Sequence, residues 1–596
     1  MLFKFLKFDR NKGSTKAEAS SSVIESPENV GSSSELAEEV GSTLSRKAKE
    51  GMIFNGNGFK IDTYLQAVDE NQQWTSEDHH NNKVNGQVAM TRLEDEFRII
   101  LNSLTNPTGT NSRTDPRSST GSTSITDSTT GYEDYKCGYG AKIKSAIDDL
   151  RRISERMNSA GHLHGCARVY MSVRKSFLDA SFRRLGMEKL SVDEVRRLEW
   201  GALEAKIRLW TRAAKICVIV LFDSEKRLCD QIFGGLGIAT SDACFAEMVK
   251  DRAVQLFNFA DAVANIRREP ERLFKILDLH TTLSELSSNI EEVFHSKSME
   301  SIIIQAAGIL VKLAEAARGI LSEFENAVLH ELSDNLDRGG RIYRLTTFVM
   351  SYITQITSYK RTLTELIKPL KEEEMKHLKE YLISTDMEFV ELERRTPLAV
   401  HLIWIIYILQ FKLECKSKHY EDPSLAQLFM INNFHCIVQK IEESPVLLEM
   451  IGDYYVEKLT ENVRQAVIRY QKSTWDRIFH CLTADEGGVD KSGFFSSRVS
   501  KRALGERVKS FNAMFEEVHQ TQATWFVPDL QLREDIRLSI LEVLIPAYRS
   551  FLGQLDSHIG RGKQREEFIK YSVEDLETLV SSLFEGCPYT TTLRSQ

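Results

Sequence analysis

Few residues in this chain have the type and spacing that chemistry needs. His162-x-His164-x-Cys166 places three metal-ligating side chains within five positions. On a helix, positions i, i+2 and i+4 do not share a face, and no second Cys/His pair follows at zinc spacing, so the cluster reads as structural. Phe233-Gly234-Gly235-Leu236-Gly237 and Gly138-Tyr139-Gly140 are glycine loops. Neither continues as G-K-[ST] nor follows a strand, so both read as helix ends rather than phosphate cradles. The chain has no G-x-S-x-G elbow and no H-E-x-x-H pair. Glu372-Glu373-Glu374 reads as a solvated charge run. No cofactor and no metal are called for, and the chain is not expected to be an enzyme.

The basic residues say more. Between Arg498 and Lys509 stand Arg498, Lys501, Arg502, Arg507 and Lys509 against the single acid Glu506. Between Arg561 and Lys570 stand Arg561, Lys563, Arg565 and Lys570 against Glu566 and Glu567. A cluster of this kind beside an anionic membrane gains about 1 kcal/mol per Lys or Arg, enough for reversible, salt-sensitive docking. The bland alternative is a solubilising helix face. Phe3, Phe5 and Phe8, with Lys4 and Lys7 between them, are able to enter a lipid interface, but eight residues do not hold a helix unaided. Met1 to Phe8 reads as a disordered end.

The totals bound the partners and the compartment. Lys and Arg sum to 77, Asp and Glu to 85, and the net charge of −8 argues against a general nucleic-acid binder. The nine cysteines are odd in number, widely spaced and free of C-x-x-C, which suits a reduced compartment and small buried thiols. No signal peptide is apparent. The longest apolar segment, Leu398 to Leu409, falls short of the roughly 20 residues a bilayer requires and is expected to be a buried helix. The expected location is cytosolic unless something recruits the chain to a surface.

The elements that must position these residues are helices. Residues 1–88 read as weakly ordered, 89–104 as an isolated amphipathic helix, and 105–134 as a Ser/Thr/Gly-rich linker. Residues 135–586 form the helical body, and 587–596 a tail. Ser191-x-x-Glu194 is a capping box. Behind it Val195, Leu198, Leu203, Ile207, Trp210, Ala214, Cys217 and Leu221 recur at helical spacing and predict about seven turns with one buried stripe. No proline lies between Pro116 and Pro270, and Pro546 is expected to kink or end a late helix. No alternating run long enough for a sheet is present. Amphipathic helices joined by short loops pair antiparallel, and such bundles in series give an all-α, elongated rod.

Ordered blocks along the chain resemble a known family. They include Asp149-Leu150-x-x-Ile153-x-x-Arg156-Met157, Leu221-Phe222-x-x-Glu225-x-x-Leu228-Cys229 and His401-Leu402-Ile403-Trp404. Phe429-Met430-Ile431-Asn432-Asn433, Val527-Pro528-Asp529, Pro546-Ala547-Tyr548-Arg549 and Ile569-Lys570-Tyr571-Ser572 extend the series. The pattern resembles the Exo-seventy family, the seventy-kilodalton subunit of the exocyst, in its plant form. That resemblance implies a rod of helical bundles and a non-enzymatic role in tethering secretory vesicles to the plasma membrane during exocytosis. It implies other exocyst subunits, Rho-type GTPases and phosphatidylinositol bisphosphate as partners. In the family, lipid contact draws on two lysines of a K-Y-I-K-Y motif. The aligned residues here are Glu567-Phe568-Ile569-Lys570-Tyr571, so Lys570 keeps the second lysine and Glu567 inverts the first. Lys501, Arg502, Lys509, Arg561, Lys563, Arg565 and Lys570 are the expected lipid-facing residues. Residues 1–85 show no sustained heptads of the kind that would coil with sister subunits. The rival expectation is a soluble helical adaptor with weakened lipid docking that acts through protein contacts in defence or specialised trafficking.

Overall fold

The computed structural model describes residues 81–105, 136–331, 337–384, 392–483, 496–559 and 569–586. Among these residues every regular element is helical, and β pairing is limited to one antiparallel bridge between Phe526 and Glu585. The fold is all-α, as the 3.6-residue periodicity requires. The described residues fall into two compact units, one within 1–267 and 275–316, the other within 268–274 and 317–596.

The first unit contains α1 (Asn81–Thr105), α2 (Lys136–Ser159), α3 (Leu163–Arg184), α4 (Val192–Arg197) and α5 (Trp200–Ile216). A π-helical segment (Cys217–Phe222) leads into α6 (Asp223–Phe233), followed by α7 (Ile238–Ala264) and most of α8 (Leu273–Val293). The helix expected at 89–104 is not isolated. It begins at Asn81 and packs on α2 and α3, with Leu93, Phe97 and Leu101 fully buried. A stripe of that size cannot stay in water when neighbours can cover it. The bare backbone of Gly165 on α3 leaves the room that the Glu94 side chain occupies. The expected region up to residue 80, the linker beyond Thr105 and the tail 587–596 lie outside the described residues.

Ser191 and Glu194 do form the capping box, but the helix they open ends at Arg197. Leu198 is extended, with ψ near 136°, and a new helix starts at Trp200. The stripe resumes there: Leu203, Ile207, Trp210, Ala214 and Cys217 are buried, and the Trp210 indole N–H donates to the Leu256 carbonyl at 2.8 Å. Deeper in this unit the Arg174 guanidinium forks onto the Glu225 carboxylate, with one bond at 2.9 Å. Burial pushes the Glu225 carboxyl up, and Arg174 opposes that shift.

Helix α9 (Glu300–Leu329) contributes residues to both units. The second unit continues with α10 (Arg344–Thr357), α11 (Lys360–Leu366), α12 (Glu372–Ser384), α13 (Pro397–Ser417), α14 (Pro423–Glu442), α15 (Pro445–Ile451) and α16 (Asp453–Thr474). It closes with α17 (Asp476–Thr483), α18 (Ser496–Gln522), α19 (Leu530–Ile559) and α20 (Val573–Ser581). Helix α13, with the apolar run from Leu398, has the length and composition to cross a membrane, but most of it is buried against its neighbours. Helix α19 continues through Pro546 rather than ending there. Asn433 on α14 is fully buried: its carbonyl accepts from the Tyr343 N–H (2.8 Å) and the Thr346 hydroxyl (2.7 Å), and its amide donates to the Phe429 carbonyl (2.7 Å). Asn432 donates to the carbonyls of Gly340 and Phe526. The Asn-Asn pair thus fastens two loops to one helix.

Candidate lipid-docking site

Of the cations singled out in the sequence, those that the structure places fall on α18 and, for Lys570, just ahead of α20. Helix α18 forms because Leu504, Val508, Phe511 and Phe515 recur at four, three and four and are all buried. Phe511 stacks on Tyr548 of α19 at 5.1 Å, and Phe515 meets Tyr571 edge-on at 5.4 Å. The Tyr548 hydroxyl donates to the Tyr571 carbonyl at 2.8 Å. Immediately after, Ser572 and Asp575 make a reciprocal capping box that starts α20. The backbone around Lys570 is therefore fixed by an aromatic contact, a backbone hydrogen bond and a helix cap.

The far end of α20 is held as firmly. Arg537 of α19 is nearly buried, and its Nε donates to the Leu583 carbonyl at 3.0 Å, with Nη2 reaching the same oxygen. Glu534 and Glu585 flank that guanidinium at 2.6 and 3.3 Å. His519 of α18 meets the Ser582 hydroxyl at 3.0 Å, and burial lowers the histidine below its ordinary range. The Tyr470 hydroxyl donates to the Gln522 side-chain Oε1, accepts from the Trp475 indole and is fully buried.

Of the seven expected cations the structure describes two completely. Lys570 is about half exposed, and its ammonium lies 2.5 Å from the Glu516 carboxylate of α18 and 5.3 Å from the Tyr571 ring. The hydrogen bond to Glu516 raises Lys570 above the ordinary lysine range, with partial burial opposing. Lys509 is exposed and sits 3.5 Å from Glu506. Lys501 and Arg502 belong to α18, but their side chains lie outside the described residues, as do Arg561, Lys563, Arg565 and Glu567 altogether. Arg507, counted in the same basic run, turns inward: it donates to the Cys481 carbonyl at 2.9 Å and lies over the Phe551 ring.

One face of α18 therefore carries Glu506, Lys509, Ala513 and Glu516 at helical spacing. Lys509 and Glu516 stand seven residues apart, about 10.5 Å along the axis. With Lys570 docked on Glu516, the described part of this face is charge-balanced, whereas the sequence count suggested a basic surplus. The Glu506–Lys509 pair was readable as an i, i+3 contact. Glu516 had no local signal, because its partner is far along the chain.

The remaining groups do not converge. Cys166 is buried with its sulfur 3.1 Å from the Met157 thioether, and the His162 and His164 ring centroids lie 6.0 Å apart. Among the described residues no group of three His, Cys, Asp or Glu side chains is placed to hold a metal. Burial pushes the Cys166, Cys217 and Cys229 thiols up to about 12, so they serve as small apolar groups. Glu372, Glu373 and Glu374 lie in the first turn of α12, where the helix dipole favours acids.

Comparison with known proteins gives one answer. Residues 208–582 match the family model for the C-terminal part of the Exo70 component of the exocyst complex. Exocyst complex component EXO70B1 of Arabidopsis thaliana is 33% identical over 517 residues, covering 84% of this chain and 79% of the relative. Component EXO70A1 of the same plant is 36% identical over 442 residues, 73% of this chain and 66% of the relative. Component EXO70C2 is 31% identical over 610 residues, covering 98% and 85%. Among solved structures, the S. cerevisiae exocyst component Exo70p matches with a TM-score of 0.51 at 14% identity, over 92% of this chain and 99% of that one, so the two share a fold. The sequence match over most of the chain shows that this protein belongs to the Exo70 family of exocyst subunits, in its plant form.

Proposed function

We propose that this chain acts as a subunit of an exocyst-type complex that tethers secretory vesicles to the plasma membrane. It would do so by binding rather than by catalysis. Its helices present surfaces to other exocyst subunits, and Rho-type GTPases are further partners. The C-terminal cations Lys501, Arg502, Lys509, Arg561, Lys563, Arg565 and Lys570 dock on phosphatidylinositol bisphosphate. The observation that carries the lipid reading is the placement of Lys570. Its backbone is pinned by Tyr548 and Phe515, yet its ammonium remains half exposed at the surface. A fixed cation at an open surface suits a phosphate-bearing headgroup, and several weak contacts acting together supply strength.

Liposome flotation tests this. At low salt the protein floats with vesicles rich in phosphatidylinositol bisphosphate, and charge reversal at Lys563, Arg565 and Lys570 abolishes flotation. Failure of the unaltered protein to float refutes the membrane role. Pull-down against the other exocyst subunits tests assembly separately. One observation favours the adaptor reading instead: both fully described cations already face carboxylates. An adaptor would fail to float, and recovery of no exocyst subunit in pull-down would favour it further.

A further inference from the structure

Lys570 has a resident partner, and its geometry bears on lipid docking. Glu516 approaches the ammonium at 2.5 Å, and the two side chains are 44% and 47% exposed. The pair joins two segments that are each fixed independently. Phe515, adjacent to Glu516, is buried in the bundle, and Tyr571, adjacent to Lys570, is held by the Tyr548 hydroxyl. The contact is therefore set by the fold and does not require either backbone to move. Ion pairs this exposed are weak, because water and salt screen them. A phosphate-rich surface presents several charge-assisted acceptors at once, which is enough to win the lysine from a single carboxylate.

We propose that Glu516 is an electrostatic latch on Lys570. In solution it holds the ammonium and cancels its charge, and an anionic phosphoinositide surface must displace it. The latch rests on the lipid reading above and adds its regulation. It makes docking depend on the density of phosphate at the membrane. A sparsely charged bilayer does not outcompete Glu516, whereas one rich in polyphosphorylated headgroups does. Glu517 is the natural control. It carries the same charge on the next position of α18 and is exposed, but the bond to Lys570 is made by Glu516.

The test uses the full chain and phosphatidylcholine vesicles with and without phosphatidylinositol bisphosphate. Glu516→Gln is expected to raise partitioning onto the bisphosphate vesicles by more than the roughly fivefold that removing one negative charge near an anionic surface gives, because it also releases Lys570. Glu517→Gln is expected to raise it less. In a Lys570→Gln background the advantage of Glu516→Gln should shrink to that of Glu517→Gln, since the latch then has nothing to release. A second readout needs no lipid: the rate at which an amine-reactive acylating reagent modifies Lys570, followed by mass spectrometry, should rise in Glu516→Gln and stay unchanged in Glu517→Gln. Equal effects of the two glutamate variants on binding and on Lys570 acylation would overturn the latch and leave only net charge. Binding by the unaltered chain with no gain in Glu516→Gln would overturn the latch and leave the lipid reading standing. If no variant binds, including Glu516→Gln, the lipid reading itself fails and the latch falls with it. Soluble inositol polyphosphate that competes fully with vesicles would reassign the ligand from the membrane to a free phosphate and overturn the proposal as a surface sensor.

Discussion

Arg537→Met should loosen the C-terminal segment without unfolding the protein. Methionine keeps much of the volume of the arginine stem but removes every donor. Arg537 directs Nε and Nη2 to the Leu583 carbonyl, and both atoms are buried with it. A hydrogen bond from a charged donor contributes about 1.5–3 kcal/mol, and leaving the carbonyl unpaired in the interior costs about 1–3 kcal/mol. The ion pairs to Glu534 and Glu585 add little, because both acids are 52% exposed and solvent screens them. The total is about 3 kcal/mol, a roughly hundredfold rise in opening of the segment it holds. Amide exchange followed by mass spectrometry should therefore accelerate about hundredfold for residues 573–586 and little for α14. Urea unfolding of the whole unit should shift by no more than the same amount. Glu534→Gln with Glu585→Gln should change neither by more than about 1 kcal/mol. If Arg537→Met leaves exchange in 573–586 unaltered, the guanidinium does not hold α20 and the reasoning is wrong.

Two further outcomes follow from buried polar groups. Asn433→Ala removes the acceptor of the half-buried Tyr343 N–H and strands the buried Thr346 hydroxyl, and should cost about 3 kcal/mol in urea unfolding, with Thr346→Val recovering part of that loss in the double variant. His519 is buried and its proton affinity is lowered, so the folded state disfavours its charged form. Its contribution is fully present above the ordinary histidine value of 6.5 and is lost as pH falls through that value toward the depressed one. Unfolding measured across this window should show a steeper acid loss in the native chain than in His519→Gln, and parallel curves would refute the assignment.

Much of this fold was legible because helices announce themselves locally. The stripe from Leu203 to Cys217 and the blocks around Phe429 and Tyr548 need only near neighbours to be read. The Ser191 capping box was legible for the same reason, but the break at Leu198 was not, because nothing in the local pattern demands an extended residue there. Helix α1 looked solitary because the helices that bury Leu93 and Phe97 lie beyond a long polar stretch. The site was less legible than the fold. Periodicity counts charges and places them on faces, and it does not reveal that Arg507 turns inward to the Cys481 carbonyl. It also cannot pair Lys570 with Glu516, which are 54 residues apart. That pairing exists because Phe515 and Tyr571 are packed together, a tertiary fact.

The pairing changes what the basic runs can contribute. A lysine beside a carboxylate presents a dipole to a distant membrane rather than a net charge, and dipolar fields fall off faster than those of single charges. Lys509 with Glu506 and Lys570 with Glu516 therefore attract little at long range. Any sustained positive field must come from Arg498, Lys501, Arg502, Arg561, Lys563 and Arg565, and Glu566 and Glu567 oppose it. On the lipid reading, four surplus charges, at about 1 kcal/mol each, give a weak and salt-sensitive hold. On the proposed reading, a tether with so modest a grip on lipid depends on its second attachment. Once sister subunits keep the chain near the membrane, each weak contact becomes intramolecular and its effective concentration rises. On the proposed reading, a protein built this way holds a bisphosphate-rich membrane weakly and salt-sensitively when alone and more firmly when assembled, which fits a lipid lysine that is balanced at rest.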